Sequence, residues 1–189
     1  PAAYLNSSLS FKEEENIILI DVGTGSGCIP ISILKNLTAP IQTFAIDVSR
    51  PALRIAKKNA KKHNVNIQFL HGNLLEPILK SYKLQANKLI ITANLPYLTE
   101  QQFQNEPSIQ KEPKLALVAK NNGLALYEEL LRQIKLLISN SKFQTSVFLE
   151  IDPSQTVHIS NLIERTLPKA IFEIKKDLAG LDRLVVIKT

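Results

Sequence analysis

The sequence predicts an α/β fold: a doubly wound, mostly parallel sheet with helices on both faces. The first observation is that short apolar, β-rich runs alternate with longer amphipathic segments along the 189 residues, which is typical of parallel sheets. The second is that the last two strands are joined only by residues 177–182. Because this connection is too short for a helical crossover, these two strands should form an antiparallel hairpin.

Seven strands and four helices are expected. The strands are predicted at 17–22, 41–47, 66–71, 88–93, 145–151, 170–176 and 183–188, and the helices at 27–36, 50–63, 123–139 and 154–166. The stretch 99–122 contains two prolines and shows little periodicity. We expect it to form a loop over the active site, because loops of this length in a compact domain are usually functional or disordered.

The first strand leads into a glycine-rich loop. The apolar run 17–22 is followed by Gly23-Thr24-Gly25-Ser26-Gly27. Glycine supplies positive φ angles and lets a bound nucleotide approach the backbone closely. The spacing differs from the G-x-G-x-x-G of dinucleotide folds, and the Lys-Ser/Thr ending of a phosphate-binding P-loop is missing. Alone, this loop is also consistent with a plain tight turn.

The second and third strands also end in residues suited to a nucleotide. Asp47 follows the second strand, twenty residues beyond Gly27, where an acid can accept both hydroxyl groups of a ribose. The third strand leads into Gly72-Asn73-Leu74, where the Asn73 amide can meet the edge of an adenine and Leu74 its face. Because ligands of open α/β sheets bind outside the carboxyl ends of strands, these residues should share one site.

The fourth strand ends in Asn94-Leu95-Pro96-Tyr97, which is suited to grip a planar NH₂ group. The side-chain oxygen of Asn94 and the carbonyl of Leu95 can both accept from that group, while Tyr97 offers a flat apolar face. Pro96 fixes its own backbone angle and restricts the preceding residue, so the acceptors are held in place. Alone, the motif is also consistent with a Pro-Tyr turn that ends a strand.

Together these motifs resemble the class I S-adenosylmethionine-dependent methyltransferases, and more closely the peptide chain release factor glutamine methyltransferases (HemK type). The resemblance runs from about residue 17 to the end of the chain. Its further segments are Glu112-Pro113-Lys114-Leu115-Ala116-Leu117, Gly123-Leu124, Leu149-Glu150-Ile151 with Gln155, and Asp177-Leu178-Ala179-Gly180-Leu181-Asp182-Arg183. It implies a Rossmann-like, seven-stranded sheet in which the last strand is antiparallel.

The sequence departs from the family pattern at three places. Leu95 replaces the first proline of the usual Asn-Pro-Pro-Tyr, which keeps the backbone carbonyl but loses some rigidity. Asn73 stands where an aspartate is common, and Ala119-Lys120 replaces a usual Gly-Gly pair.

The resemblance implies methyl transfer from S-adenosyl-L-methionine to the side-chain amide nitrogen of the glutamine in the Gly-Gly-Gln loop of release factors, the proteins of translation termination. Asn94, Leu95, Pro96 and Tyr97 would grip that amide. The cofactor would contact Gly23, Thr24, Gly25, Ser26, Gly27, Asp47, Asn73, Leu74 and Asn94. Asp21 could place the methionine end of the cofactor, although an acid that only caps a strand is an equal alternative.

Two alternatives remain open at this point. The same x-x-Pro-Tyr group serves adenine-amino methyltransferases acting on DNA or RNA, because adenine presents an equally planar, deactivated NH₂. No target-recognition domain is visible, however, and the closing block 177–183 favours the release-factor family. The second alternative is a cofactor-binding fragment that has lost turnover.

Length suggests one domain at 17–189, the methyltransferase catalytic domain, preceded by a linker remnant at 1–16 from a missing N-terminal helical domain. The net charge of +6 comes largely from one helix, whose outer face should carry Lys57, Lys58, Lys61 and Lys62, with Leu53, Ile55 and Ala56 nearer the sheet. Such charge helps to meet an acidic partner or ribosomal RNA but specifies neither. Binding of the release factor should require no direct nucleic-acid contact.

The remaining composition points to the cytoplasm. No apolar run is long enough for a membrane span, and no signal peptide is visible. The single cysteine, Cys28, excludes an internal disulfide and is expected to be a small buried space-filler. The three histidines lack metal-ligand spacing, so no metal site is indicated.

Overall fold

A seven-stranded sheet forms the centre of the protein in the computed structural model, which describes residues 16–37, 39–139 and 143–189. The strands are β1 (Ile17–Val22), β2 (Gln42–Asp47), β3 (Gln68–His71), β4 (Lys88–Ala93), β5 (Gln144–Glu150), β6 (Ile171–Lys176) and β7 (Asp182–Lys188). The helices are α1 (Cys28–Asn36), α2 (Arg50–Lys62), α3 (Glu76–Ser81), α4 (Glu100–Asn105), α5 (Ala125–Ser139) and α6 (Thr156–Thr166).

The strand order is β3-β2-β1-β4-β5-β7-β6. The pairs β1–β2, β1–β4, β2–β3 and β4–β5 are parallel, whereas β7 pairs antiparallel with both β5 and β6. The predicted fold class and the predicted terminal hairpin are therefore confirmed. Since β6 runs parallel to β1–β5, the turn between β6 and β7 lies at the same edge as the carboxyl ends of those strands.

Both faces of the central strands β1 and β4 are buried, as their apolar runs predict. All six residues of β1 are buried. Ile18 and Ile20 belong to the largest apolar cluster, together with residues of α5 and α6. Ile17 and Leu19 point to the opposite face and pack in a second cluster with Ile33 of α1. Alternate side chains of one strand thus join two helical layers to the sheet.

Two short helices were not predicted. α3 occupies only six residues, and α4 lies inside the stretch 99–122 that was expected to be a loop. That stretch also contains two 3₁₀ turns, 107–109 and 114–116, and its ends are joined by backbone hydrogen bonds between Leu98 and Leu117 and between Ala119 and Leu98. The stretch is therefore not the plain loop that was predicted, although several of its residues line the cavities described below. Thr99 and Gln102 form a capping box that begins α4, a local signal that the periodicity did not reveal.

Three smaller predictions concern the exposure of side chains on α1 and α2. The four lysines of α2 are exposed, as expected, and Leu53 and Ala56 are buried. Ile55 is 53% exposed instead of facing the sheet, because it falls on the lysine side of the helix. Cys28 is also exposed, since the buried face of α1 is formed by Pro30, Ile31 and Ile33.

The predicted linker remnant 1–16 lies outside the described residues except for Asn16. None of the helices in the described part of the chain combines the length and apolar character needed to cross a membrane.

Candidate functional site

Four adjacent strands bring the predicted motifs to one edge of the sheet. In the order β3-β2-β1-β4, each strand is followed at its carboxyl end by one motif. They enclose a cavity of about 360 Å³, here called the glycine-loop cavity. Of the predicted cofactor residues, those that line it are Gly23, Gly25, Asp47, Asn73, Leu74 and Asn94. Ile46, Val48, Ser49, Ala52, Pro113, Leu115, Ala116 and Leu126 also line it and were not predicted.

The glycine loop is anchored to the neighbouring strand. The backbone N–H groups of Gly23 and Thr24 both donate to the carbonyl of Ile46, at 2.9 and 3.0 Å. Gly25 has φ +56° and no atom within 4 Å of the position that a Cβ would take. Because Gly25 lines the cavity, a side chain there would enter the space that a ligand would occupy.

Three predicted residues of the loop do not line the cavity. Gly27 packs against α2, where a Cβ would lie 3.2 Å from the Cβ of Ala56. Ser26 is exposed, and its carbonyl accepts from the Asn59 side chain. Thr24 is 6% exposed. The geometry gives these residues a role in the loop's own structure.

Asp47 holds the loop from the other side. Its Oδ2 accepts from the N–H of Gly25 at 2.8 Å, and its Oδ1 accepts from the N–H of Ser49 at 2.7 Å. A carboxylate has about four acceptor sites, so each oxygen can still accept another hydrogen bond. Asp47 therefore combines a structural role with free acceptor capacity at the cavity wall.

Asp21 is buried beneath the loop with an incomplete set of partners. Its Oδ1 accepts from the Thr92 hydroxyl at 2.5 Å, whereas its Oδ2 and the Thr24 hydroxyl have no hydrogen-bond partner by distance and angle among the described residues. Burial raises the pKa of Asp21 to about 6, against the lowering effect of the nearby Thr24 and Thr92 hydroxyls. Unpaired buried polar atoms of this kind are uncommon and often mark a functional site.

A second cavity of about 700 Å³ lies on the other side of the Asn-Leu-Pro-Tyr motif. We call it the Tyr97 cleft. Four residues line both cavities: Asn94, Leu95, Pro96 and Ala116. The motif is thus the partition between two spaces, and the exposed side chain of Asn94 is accessible at that partition.

The motif packs directly on the glycine loop. The Leu95 side chain is only 3% exposed, and a Cβ on Gly23 would lie 2.9 Å from its Cδ2. Gly23 therefore permits the closest approach of the two predicted motifs. Leucine at this position fills space that would otherwise open beside the loop.

Two buried side chains brace the motif from behind. The Tyr127 hydroxyl donates to the carbonyl of Glu150, and a backbone hydrogen bond joins it to Leu95. The Gln155 amide donates to the carbonyl of Tyr97 at 3.1 Å and to that of Asn122 at 3.1 Å. Its oxygen accepts from the N–H of Asp152 at 3.2 Å.

Gly123 completes this support. It has φ +80°, and a Cβ there would collide with the Tyr97 carbonyl at 1.9 Å and with the Gln155 amide nitrogen at 2.5 Å. The chain can therefore pass close behind the motif only because residue 123 is glycine.

The Tyr97 cleft has one wall from residues 98–117 and one wall from the end of the sheet. The first wall mixes polar side chains, such as Glu106 and Glu112, with the apolar Ile109, and Asp152 and Arg183 belong to the second. Tyr97 is half-buried, and burial together with the nearby Glu150 carboxylate raises the pKa of its hydroxyl. Tyr97 consequently stays neutral at physiological pH and presents a flat, uncharged face to the cleft.

Sequence reasoning gave no role to Tyr127, and it noted Gln155 and Arg183 only as parts of resembling segments. The sequence shows only that Gln155 is an amide near the start of a predicted helix. Its hydrogen-bond partners lie up to 58 residues away. No local pattern reveals such contacts. No group of acidic, histidine or cysteine side chains in the described part of the chain is arranged to hold a metal ion.

Comparison with known proteins supports a methyltransferase fold. The family model described as a methyltransferase domain matches residues 13–142. Among solved structures, the N-terminal domain of human METTL16 in complex with SAH superposes with a TM-score of 0.63 at 16% identity, covering 100% of this chain and 66% of that one.

Two curated relatives bear the name release factor glutamine methyltransferase. The protein from Enterococcus faecalis is 37% identical over 90% of this chain and 59% of its own length. The protein from Bacillus subtilis is 34% identical over 93% of this chain and 59% of its own length. The chain therefore spans about three fifths of the length of these relatives.

Proposed function

Because the chain belongs to the methyltransferase domain family, we propose that it transfers the methyl group of S-adenosylmethionine to the side-chain amide nitrogen of a release factor glutamine, in a Gly-Gly-Gln loop. The names of the similar curated proteins support this substrate. The observation that carries the proposal is that Asn94, Leu95 and Pro96 line both cavities. A donor on one side of this partition would face an acceptor on the other.

The glycine-loop cavity suits the cofactor. Its volume of about 360 Å³ lies in the range of small-molecule sites. We assign the ribose hydroxyls to Asp47, the adenine to Asn73 and Leu74, and close backbone contact to Gly23 and Gly25. The open space at Gly25 fits this assignment, because that residue can be approached without a Cβ in the way.

The loop residues that do not line the cavity would hold the loop in shape instead of contacting the cofactor. Thr24, Ser26 and Gly27 shape the turn that presents Gly23 and Gly25. Asp21 lies just before this loop in sequence and has an unpaired oxygen, Oδ2. It is the acceptor we assign to the polar methionine end of the cofactor, directly or through water.

Asn94 and Leu95 would position the substrate amide. A glutamine side-chain nitrogen is a poor nucleophile because its lone pair is delocalised into the carbonyl. Hydrogen bonds from its NH₂ to the Asn94 oxygen and the Leu95 carbonyl would orient that lone pair toward the partition. S-adenosylmethionine supplies a methyl group already activated by a sulfonium, so catalysis is mainly positioning and electrostatic preorganisation. No strong general base is needed if the proton leaves after transfer.

Pro96 and Tyr97 would complete the grip. Pro96 limits the freedom of the Leu95 carbonyl. The neutral face of Tyr97 packs against the planar amide, and the hydrogen bond from Gln155 to its carbonyl fixes the turn.

The release factor is the only macromolecular partner we assign, and methyl transfer to it requires neither a membrane nor a nucleic acid. Because release factors act in translation termination, we place the activity in the cytoplasm. Residues 17–189 form the catalytic domain in this account.

The test is a methyl-transfer assay with three acceptors: an intact release factor, duplex DNA and structured RNA. We expect transfer to the release factor alone. Replacing the glutamine of its Gly-Gly-Gln loop by alanine provides the control and should abolish incorporation. Transfer to DNA or RNA in preference to the protein would favour an adenine-amino methyltransferase instead. Cofactor binding without transfer to any acceptor would favour a cofactor-binding fragment.

A further inference from the structure

The turn of the β6–β7 hairpin exposes two leucines at the edge of the sheet that carries the site. Leu178 is fully exposed, and Leu181 is about half exposed. We call residues 177–182 the hairpin tip. Single exposed apolar side chains are common on protein surfaces. Exposure alone therefore does not indicate a binding surface, which is indicated here by the position and rigidity of these two leucines.

The hairpin tip is rigidly built. One oxygen of the Asp177 carboxylate accepts from the N–H groups of Ala179 and Leu181, at 2.9 and 3.0 Å. The Asp177 N–H donates to the Leu181 carbonyl at 2.8 Å. Gly180 has φ +79°, which closes the turn. The leucines are thus presented on a preorganised backbone, which lowers the entropy lost when a partner binds.

The same aspartate links the tip to the Tyr97 cleft. The second Asp177 oxygen accepts from Nε of Arg183 at 3.3 Å. Arg183 lines the cleft and donates through Nη1 to the carbonyl of Ile151 at 3.2 Å. The exposed leucines therefore stand beside the cleft on a continuous hydrogen-bonded support.

The size of the cleft limits how much of a folded substrate can enter it. A space of about 700 Å³ admits a short loop but not a domain. A folded substrate that inserts one glutamine must lay the surface around its loop on the rim. The opposite wall carries polar side chains such as Gln102 and Glu106 beside the apolar Ile109, and the hairpin tip adds two exposed apolar side chains to the rim.

The charges of the hairpin disfavour a nucleic acid as the occupant. Lys176 is paired with Asp182 at 2.8 Å, Lys175 with Glu173 at 2.5 Å, and Arg183 with Asp177. Binding of a phosphate backbone depends on lysine and arginine groups that neutralise phosphates. These three cations, which lie near the hairpin tip, are already matched by carboxylates of the same hairpin, whereas Lys188 lies at the far end of β7 opposite Ile171.

We propose that Leu178 and Leu181 form a docking surface for the folded protein whose glutamine is methylated. This inference rests on the proposed function. It concerns recognition of the protein around the target loop, and it assigns no part in methyl transfer to either leucine.

The test compares two substrates of one enzyme: intact release factor, and a short Gly-Gly-Gln peptide that does not reach the hairpin tip. The variant is Leu178→Ser/Leu181→Ser in the 189-residue chain. The matched control is Ile171→Ser, because Ile171 is also an exposed apolar residue of this hairpin but lies at the opposite end of β6. Thermal unfolding and cofactor titration check that each variant folds.

We expect the double variant to lose about tenfold or more in kcat/KM on the intact protein, with the peptide rate and the cofactor affinity unchanged. Ile171→Ser should match the wild type on both substrates. Equal rates of the double variant and the wild type on the intact protein would overturn the docking surface. An equal loss on protein and peptide would also overturn it, because the leucines would then act on the cleft itself. If the wild type methylates neither substrate, the proposed function fails first, and the docking surface with it.

Discussion

The side-chain amide of Gln155 donates a hydrogen bond to the backbone carbonyl of Tyr97 at 3.1 Å. The same nitrogen donates to the Asn122 carbonyl, and the Gln155 side chain is only 4% exposed. One buried amide thus ties the Asn-Leu-Pro-Tyr turn to the chain segment that precedes α5.

Gln155→Glu should slow methyl transfer while cofactor affinity stays within a few-fold of the wild type. The introduced carboxylate can still accept from Asp152 but cannot donate to the two carbonyls, so the turn loosens. We expect a loss of about tenfold in kcat, since an unsatisfied buried carbonyl costs about 1–3 kcal/mol. The rate relative to wild type should partly recover at lower pH, because a protonated carboxyl group at this position can donate one hydrogen bond. If the loss in kcat does not depend on pH, and if cofactor affinity falls by the same factor, the effect of the substitution is merely structural.

Gly25→Ala should weaken cofactor binding without unfolding the protein. The added methyl group meets no protein atom within 4 Å but enters the glycine-loop cavity. Gly180→Ala is the matched control, because Gly180 also has a positive φ and open space around its Cβ position. Both variants carry similar backbone strain of about 1 kcal/mol. Calorimetric titration should therefore show reduced S-adenosylmethionine affinity for Gly25→Ala only; equal affinities would contradict our placement of the cofactor.

Asp47→Ala should raise the dissociation constant of S-adenosylmethionine, with a smaller effect on kcat at saturation. The ribose contact is made in the ground state and the transition state alike, so its loss affects mainly binding. Asp47→Asn keeps one side-chain oxygen and should weaken binding less than alanine does. Unchanged affinity in Asp47→Ala, measured by calorimetry, would rule out the ribose assignment.

Asp21 should make stability depend on pH. Its folded-state pKa of about 6 lies above the ordinary value of 3.8, so the native state binds more protons than the unfolded state between these values. The free energy of unfolding should therefore fall as pH rises from about 4 to about 6 and level off above that. Asp21→Asn should remove this decline, so its advantage over the wild type should grow to about 3 kcal/mol across that interval. Parallel pH profiles from denaturant titrations of the two proteins would refute the raised pKa.

The sequence predicted the central strands well because β1 and β4 are largely apolar runs, and because β1, β2 and β4 lead into glycine, acid or amide residues. β1 and β4 were predicted at their observed bounds, 17–22 and 88–93. The same strand ends, together with the end of β3, supply about half of the residues that line the glycine-loop cavity. The helix α4 was missed, since its six residues have no buried face and therefore no apolar periodicity.

The Tyr97 cleft could not be predicted in the same way. Its walls come from segments far apart in sequence, such as Glu106, Asp152 and Arg183. The braces Tyr127 and Gln155 likewise act through contacts with Leu95 and Tyr97 that arise only in the folded chain. Local sequence patterns predict where strands end, but they do not predict which distant residues contact those strand ends in the folded chain.

The central claim is that Asn94 grips a glutamine amide for methyl transfer. Tandem mass spectrometry of a Gly-Gly-Gln peptide after single-turnover reaction with wild type and Asn94→Ala tests it most directly. The account predicts one methyl group on the glutamine side-chain nitrogen, formed about 10²–10³-fold more slowly by Asn94→Ala, with cofactor affinity within a few-fold of the wild type. A methyl group on another atom, or transfer by Asn94→Ala at the wild-type rate, would contradict it.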